Sequence, residues 1–135
     1  MLDEAIDEWL RGLLGRHGAV AGTVHVVRGD MLEITAAINI PPKVQEVTAK
    51  IPIGKGMAGL AWLHDKPIAT CNLQEDTSGA VKPGAKAVGA QAAVALPVHA
   101  ADGQVRAIVG LAWMDERALP DAVLAAIARD AGSLP

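Results

Sequence analysis

The chain has 135 residues, 51% hydrophobic and 20% charged, enough for one domain with its own core and too apolar for a disordered segment. Twelve basic against fifteen acidic residues leave a net charge of −3, and Phe and Tyr are absent, which excludes a phosphate-neutralising footprint and an aromatic platform for bases. One cysteine excludes an internal disulfide, the acidic N-terminus is unlike a secretory leader, and no apolar run approaches the ~20 residues of a membrane span. The expectation is a single cytoplasmic domain over residues 1–135, with no nucleic-acid or membrane partner.

Leu2, Ile6, Leu10, Leu13 and Leu14 recur at helical spacing, with Trp9 beside them and acidic residues in the first turns, where they suit the helix dipole. Gly15 and Gly18 are expected to stop this helix. Ala19 to Arg28 and Met31 to Ile38 are β-prone runs joined across Gly29-Asp30, the pattern of a hairpin. Pro41 and Pro42 end the second strand and open a short helix over Val44 to Thr48. Met57 to His64 is expected to be helical, Lys66-Pro67 breaks it, and a short strand follows to Cys71. Asn72 to Gly89 is a long polar stretch expected to be a loop with one helical turn near Ala85. Gln91 to His99 and Gln104 to Met114 form a second hairpin around Ala101-Asp102-Gly103, and Pro120 to Ala131 is the last helix, with Val123, Leu124, Ile127 and Ala128 on one face.

Between Pro52 and Trp62 lies Gly54-Lys55-Gly56-Met57-Ala58-Gly59, which matches the glycine fingerprint of dinucleotide-binding folds. That fingerprint needs a buried parallel strand running into the first glycine and a long crossover helix. Here a proline stands two residues before Gly54, the following helix is short, and hairpins flank the segment. Glu75 and Asp76 sit near the offset of a ribose carboxylate, a weak agreement in a polar loop. The better reading is structural: Gly54 and Gly56 supply positive φ in a turn, and Gly59 lets a helix pack closely.

The same residues, followed by Trp62, Lys66-Pro67-Ile68 and Cys71-Asn72-Leu73, resemble the central signature of GAF domains, and the order of hairpins and terminal helices matches over nearly the whole chain. The resemblance implies an α+β fold: a five- to six-stranded antiparallel sheet, terminal helices on one face, and short helices and loops closing a small-molecule pocket on the other. It also implies a sensory or regulatory module that binds an unidentified small molecule, dimerises through its terminal helices, or does both, and that passes any signal to a separate protein partner or acts alone. The apolar faces of the first and last helices also allow a pure dimerisation module.

On that footing the candidate pocket residues are Met57, Trp62, Cys71, Asn72, Asp76, Thr77, Lys86 and Trp113. The two tryptophans would wall a flat or apolar ligand, although a lone Trp is more often core. The loop residues would orient it, or are simply a solvated surface. Cys71 is a candidate nucleophile or redox sensor, against the commoner reading as a small buried hydrophobe. With no second cysteine to resolve a sulfenic acid, a reductase of the free methionine sulfoxide type would need an external thiol. His25 falls mid-strand, on the face opposite Val24 and Val26. There it is either a haem ligand or, more commonly, a hydrogen-bonded sheet residue. The bilin and cyclic-nucleotide signatures of the family are missing, as are metal-ligand spacing and any catalytic grouping, so no cofactor and no catalytic residue is expected.

Overall fold

A computed structural model of the chain describes residues 3–70, 91–115 and 117–135. In chain order its elements are α1 (Glu4–His17), β1 (Ala21–Arg28), β2 (Met31–Ile38), α2 (Pro42–Val47), β3 (Lys50–Pro52), α3 (Gly56–His64), β4 (Ile68–Thr70), β5 (Ala92–His99), β6 (Val105–Trp113) and α4 (Asp121–Ala131). The six strands form one antiparallel sheet in the order β3-β2-β1-β6-β5-β4, so the two predicted hairpins lie side by side and β1 pairs with β6 at the centre. The α+β architecture expected from the sequence is the one observed.

α1 begins where Asp3 caps it, the carboxylate accepting from the amides of Ala5 (2.9 Å) and Ile6 (3.2 Å), a contact type that stabilises a helix by about 1 kcal/mol. It runs through Gly15 and ends only at Gly18, whose φ of +65° puts it in the left-handed region. Gly15 is therefore no stop, because the helix is held by the burial of Leu10, Leu13 and Leu14 rather than by local propensity. Each of those leucines contributes about 1.5–3 kcal/mol by leaving water.

These leucines pack on one face of the sheet with Val24, Val94, Leu96, Val109, Leu111 and Trp113, and α4 adds Ile127 and Ala131 to the same core. Trp113 is 1% exposed, and its indole N–H donates to the His17 carbonyl oxygen at 2.9 Å, so the last strand is tied to the end of α1. Asp130 clamps the two helices, accepting from Arg16 (2.8 and 3.0 Å) and lying 2.8 Å from the Nε2 of His17. The Arg16 guanidinium first, and His17 after it, holds the Asp130 carboxyl below the usual carboxylate range. Val123, expected on the inner face of α4, is 41% exposed.

Two features escaped the sequence reading. The first is β3, three residues pairing with Met31 to Glu33 at the edge of the sheet, a position that tolerates Pro52 and its missing N–H. The second is a bulge in β2: Val24 lies opposite Ala36 but His25 opposite Ile34, which leaves Thr35 as the extra residue. Its hydroxyl donates to the Val24 carbonyl (3.2 Å), and its own carbonyl accepts from the Asp3 amide (2.7 Å), docking the start of α1.

Candidate functional site

Side chains alternate faces along a strand, so each residue of β1, β6 and β5 belongs to a cross-strand row on one face or the other. On the face away from α1 and α4 three such rows follow from the register. The first is Ala21, Ala112 and Ala93, the second Thr23, Gly110 and Ala95, and the third His25, Ile108 and Pro97. The third row is bulky. Beside it Ile108 and Ala95 pack with Leu32, Ala61, Ile51, Met57 and Trp62, and this cluster seats α3 on the sheet. The first two rows are small: Ala95 is partly covered by that cluster, and all six residues line the floor of an open space among the described residues.

Over that floor lies a cavity of about 370 Å³, at the lower end of the ~300–1,000 Å³ typical of small-molecule sites. Its walls are α2 with Val44 and Val47, the β3 edge with Ile51 and Pro52, and the first turn of α3 with Met57 and Ala58. The lining is mostly apolar. Among the described residues it contains no Asp or Glu; its charged members are Lys50 and Lys55, both exposed.

His25 is the buried polar residue among the described lining. It is 3% exposed, and its Nε2 lies 2.8 Å from the Thr48 carbonyl oxygen at the end of α2. A carbonyl can only accept, so Nε2 carries the proton and Nδ1 keeps a lone pair, which has no partner among the described residues. Burial pushes the imidazole below the ordinary histidine range, with the Thr48 hydrogen bond opposing the shift, so the ring is a neutral donor.

The glycine segment shapes the mouth. Gly54 and Gly56 have φ of +83° and +66°, and a Cβ on Gly59 would stand 2.8 Å from the Pro52 carbonyl oxygen and 3.1 Å from the Gly54 nitrogen. The segment thus turns the chain sharply and presses α3 against its own entry, the structural role expected for it.

Of the eight candidate pocket residues, Met57 lines the cavity. Trp62 lies one layer away in the cluster that anchors α3. Trp113 is on the opposite face, within the helix-side core, because an odd step along β6 from Ala112 reverses the side chain. Cys71, Asn72, Asp76, Thr77 and Lys86 lie outside the described residues, as does the rest of the predicted polar loop. The sequence reading passed over Ala93, Ala95, Gly110 and Ala112, although the alternation Ala-Val-Ala-Leu in β5 and Gly-Leu-Ala-Trp in β6 marks one face as conspicuously small.

Among the described residues no group of acidic, His or Cys side chains could hold a metal ion, and no helix is long and apolar enough to cross a membrane.

The family model for the GAF domain matches residues 1–132. The GAF domain region of a putative membrane protein from Geobacter sulfurreducens PCA superposes with a TM-score of 0.77 at 13% identity, over 96% of this chain and 87% of that one. The type II free methionine-R-sulfoxide reductase of Thermoplasma acidophilum gives 0.72 at 14% identity, over 93% and 84%. The GAF domain of the Acinetobacter phosphoenolpyruvate-protein phosphotransferase gives 0.71 at 10%, over 97% and 80%. At such identities the likeness is one of fold. No curated protein matches the sequence.

Proposed function

The chain belongs to the GAF domain family, and on that footing we propose that it is a non-catalytic sensory or regulatory module that takes a small molecule into the cavity between α2, α3 and the sheet. The observation that carries this reading is the pair of small-residue rows, Ala21-Ala112-Ala93 and Thr23-Gly110-Ala95, which hold open a space that larger residues at the same positions would close. Filling such a void with side chains would add dispersion contacts and stability, so a floor of alanines over two successive rows fits a binding site better than a packing defect.

The module works as a homodimer through its terminal helices and passes its signal to a separate protein. The apolar stripes of α1 and α4 are buried in the core, but Ala122, Val123, Ala125 and Ala126 leave an apolar outer face on α4 for a second copy. A cytoplasmic location suits a module that reads metabolites.

Thermal-shift screening of small metabolites against the protein and its Ala112→Leu variant tests the reading. At least one compound is expected to raise the Tm of the native chain and leave the variant unmoved. The competing reading, a thiol reductase of the free methionine sulfoxide type, rests on Cys71. Consumption of methionine sulfoxide with dithiothreitol, abolished in Cys71→Ala, would overturn the non-catalytic assignment.

A further inference from the structure

Among the described residues few groups of the cavity can recognise a polar atom of a ligand. His25 borders the space but lends it nothing: Nε2 is committed to the Thr48 carbonyl, and Nδ1 is closed off from solvent as well as partnerless. Lys50 and Lys55 are exposed, so water and salt screen their charges. Thr23, on β1, is different. The register sets it opposite Gly110 of β6, and its Oγ1 lies 2.9 Å from where a Cβ on Gly110 would stand, so the hydroxyl leans over the glycine on the cavity face. The hydroxyls of Thr35 and Thr48 donate to backbone carbonyls at 3.2 and 2.8 Å, whereas that of Thr23 has no hydrogen-bond partner among the described residues. Thr23 is half-buried, and its hydroxyl is not sealed off as the Nδ1 of His25 is.

Gly110 supplies a second observation. A glycine inside a strand weakens it and often marks a close approach by another group. Gly110 is not among the glycines with positive φ. Apart from the Thr23 hydroxyl, the nearest atom to a Cβ there would be the Val94 carbonyl oxygen at 3.9 Å, an ordinary contact. Neither backbone conformation nor packing therefore asks for glycine. What the missing methyl group leaves clear is the hydroxyl of Thr23.

The surroundings restrict the rest of the occupant. The walls are aliphatic, with Val44, Val47, Ile51 and Met57, and the described lining has no Asp or Glu. An ion entering this space would give up its hydration with no buried counter-charge to replace it. The volume of about 370 Å³ is more than twice the ~150 Å³ that takes a benzene ring, which leaves room for a ring with a short side arm.

We propose that the ligand is an uncharged, mostly apolar molecule the size of one substituted ring, anchored by a single hydroxyl or carbonyl group at Thr23 above Gly110. This rests on the cavity being a ligand site and adds the charge, the size and the anchoring residue.

Four probes with one phenyl body test it by amide chemical-shift titration of the full chain: 2-phenylethanol, ethylbenzene, phenylacetate and 2-phenylethylamine. The alcohol and the hydrocarbon are expected to bind at least tenfold more tightly than either ion. Thr23→Val keeps the β-branched shape that suits a strand and removes the hydroxyl. It is expected to weaken the alcohol about fivefold, the loss of one hydrogen bond, and to leave the hydrocarbon within about twofold. Thr23→Ser should restore the alcohol. If Thr23→Val weakened alcohol and hydrocarbon alike, or neither, Thr23 would not be the anchor. Tighter binding of either ion than of the alcohol would overturn the uncharged assignment. In both cases loss of binding in Ala112→Leu would leave the cavity standing as a ligand site. Absence of shifts with all four probes at millimolar concentration would overturn the ligand class, and the metabolite screen decides independently whether the cavity takes a ligand.

Discussion

The amide of Gly54 donates to the carbonyl oxygen of Gly59 at 2.8 Å, so the first and last glycines of the motif are bonded to each other. The Lys55 amide turns the same way, toward the Pro52 carbonyl (3.3 Å). In a dinucleotide fold the glycine loop offers its amides to a pyrophosphate. Here two of them close the loop on itself, and the pattern is a tight turn that delivers α3 to the sheet.

Gly59→Ala accordingly acts on stability. The new methyl group meets backbone rather than a flexible side chain, a strain of about 2 kcal/mol, and the Tm should fall by roughly 7 °C in a circular-dichroism melt. NAD at millimolar concentration should leave the Tm of the native chain unchanged. A clear rise with NAD would restore the nucleotide reading of the motif.

Trp113 belongs to the core. Trp113→Ala should cost about 3–5 kcal/mol, because a fully buried indole is lost and the cavity it leaves cannot collapse. Trp113→Phe should cost less, mainly the hydrogen bond to the His17 carbonyl, on the order of 1 kcal/mol. Urea melts give both values. If Trp113→Phe left stability untouched and abolished ligand binding, the tryptophan would have to face the cavity after all.

His25 links stability to pH. Its pKa is lowered on folding, so below the ordinary value near 6.5 the unfolded chain binds the proton more readily than the folded one. The contribution is complete above about pH 6.5 and is lost as pH falls below it toward the folded value. His25→Gln keeps a donor for the Thr48 carbonyl and removes the titration. The drop in urea midpoint between pH 7.5 and 5.0 should be larger for the native chain than for this variant, and equal drops would show that His25 is not buried neutral.

The outer face of α4 predicts a dimer. Light scattering at micromolar concentration should return twice the chain mass of 13.9 kDa, and Val123→Asp should return the monomer. A monomer in the native protein would leave the exposed valine and alanines without a partner.

Much of the fold could be read in the sequence because its signals were local and repeated: Leu10, Leu13 and Leu14 at helical spacing, two glycine-centred hairpins, and prolines at element boundaries. The misreadings came where tertiary packing overrides a local signal. Gly15 sits inside a helix held by buried leucines, and Lys50–Pro52 becomes a strand only because Met31–Glu33 offers an edge. The site was less legible. Large side chains such as Trp113 attract attention, whereas a cavity is made by what is small, and Ala93, Gly110 and Ala112 acquire meaning only once the register sets them side by side. Cys71, Asn72, Asp76, Thr77 and Lys86 remain proposals from sequence alone.

The central claim is that the alanine floor holds a ligand. Native mass spectrometry of the protein purified from its own host, beside Ala112→Leu prepared the same way, tests it most directly. The native chain should carry a dissociable small-molecule adduct that collisional activation removes, and the variant should fly at the mass of the bare polypeptide. Bare polypeptide in both preparations, or the same adduct on both, would contradict the account.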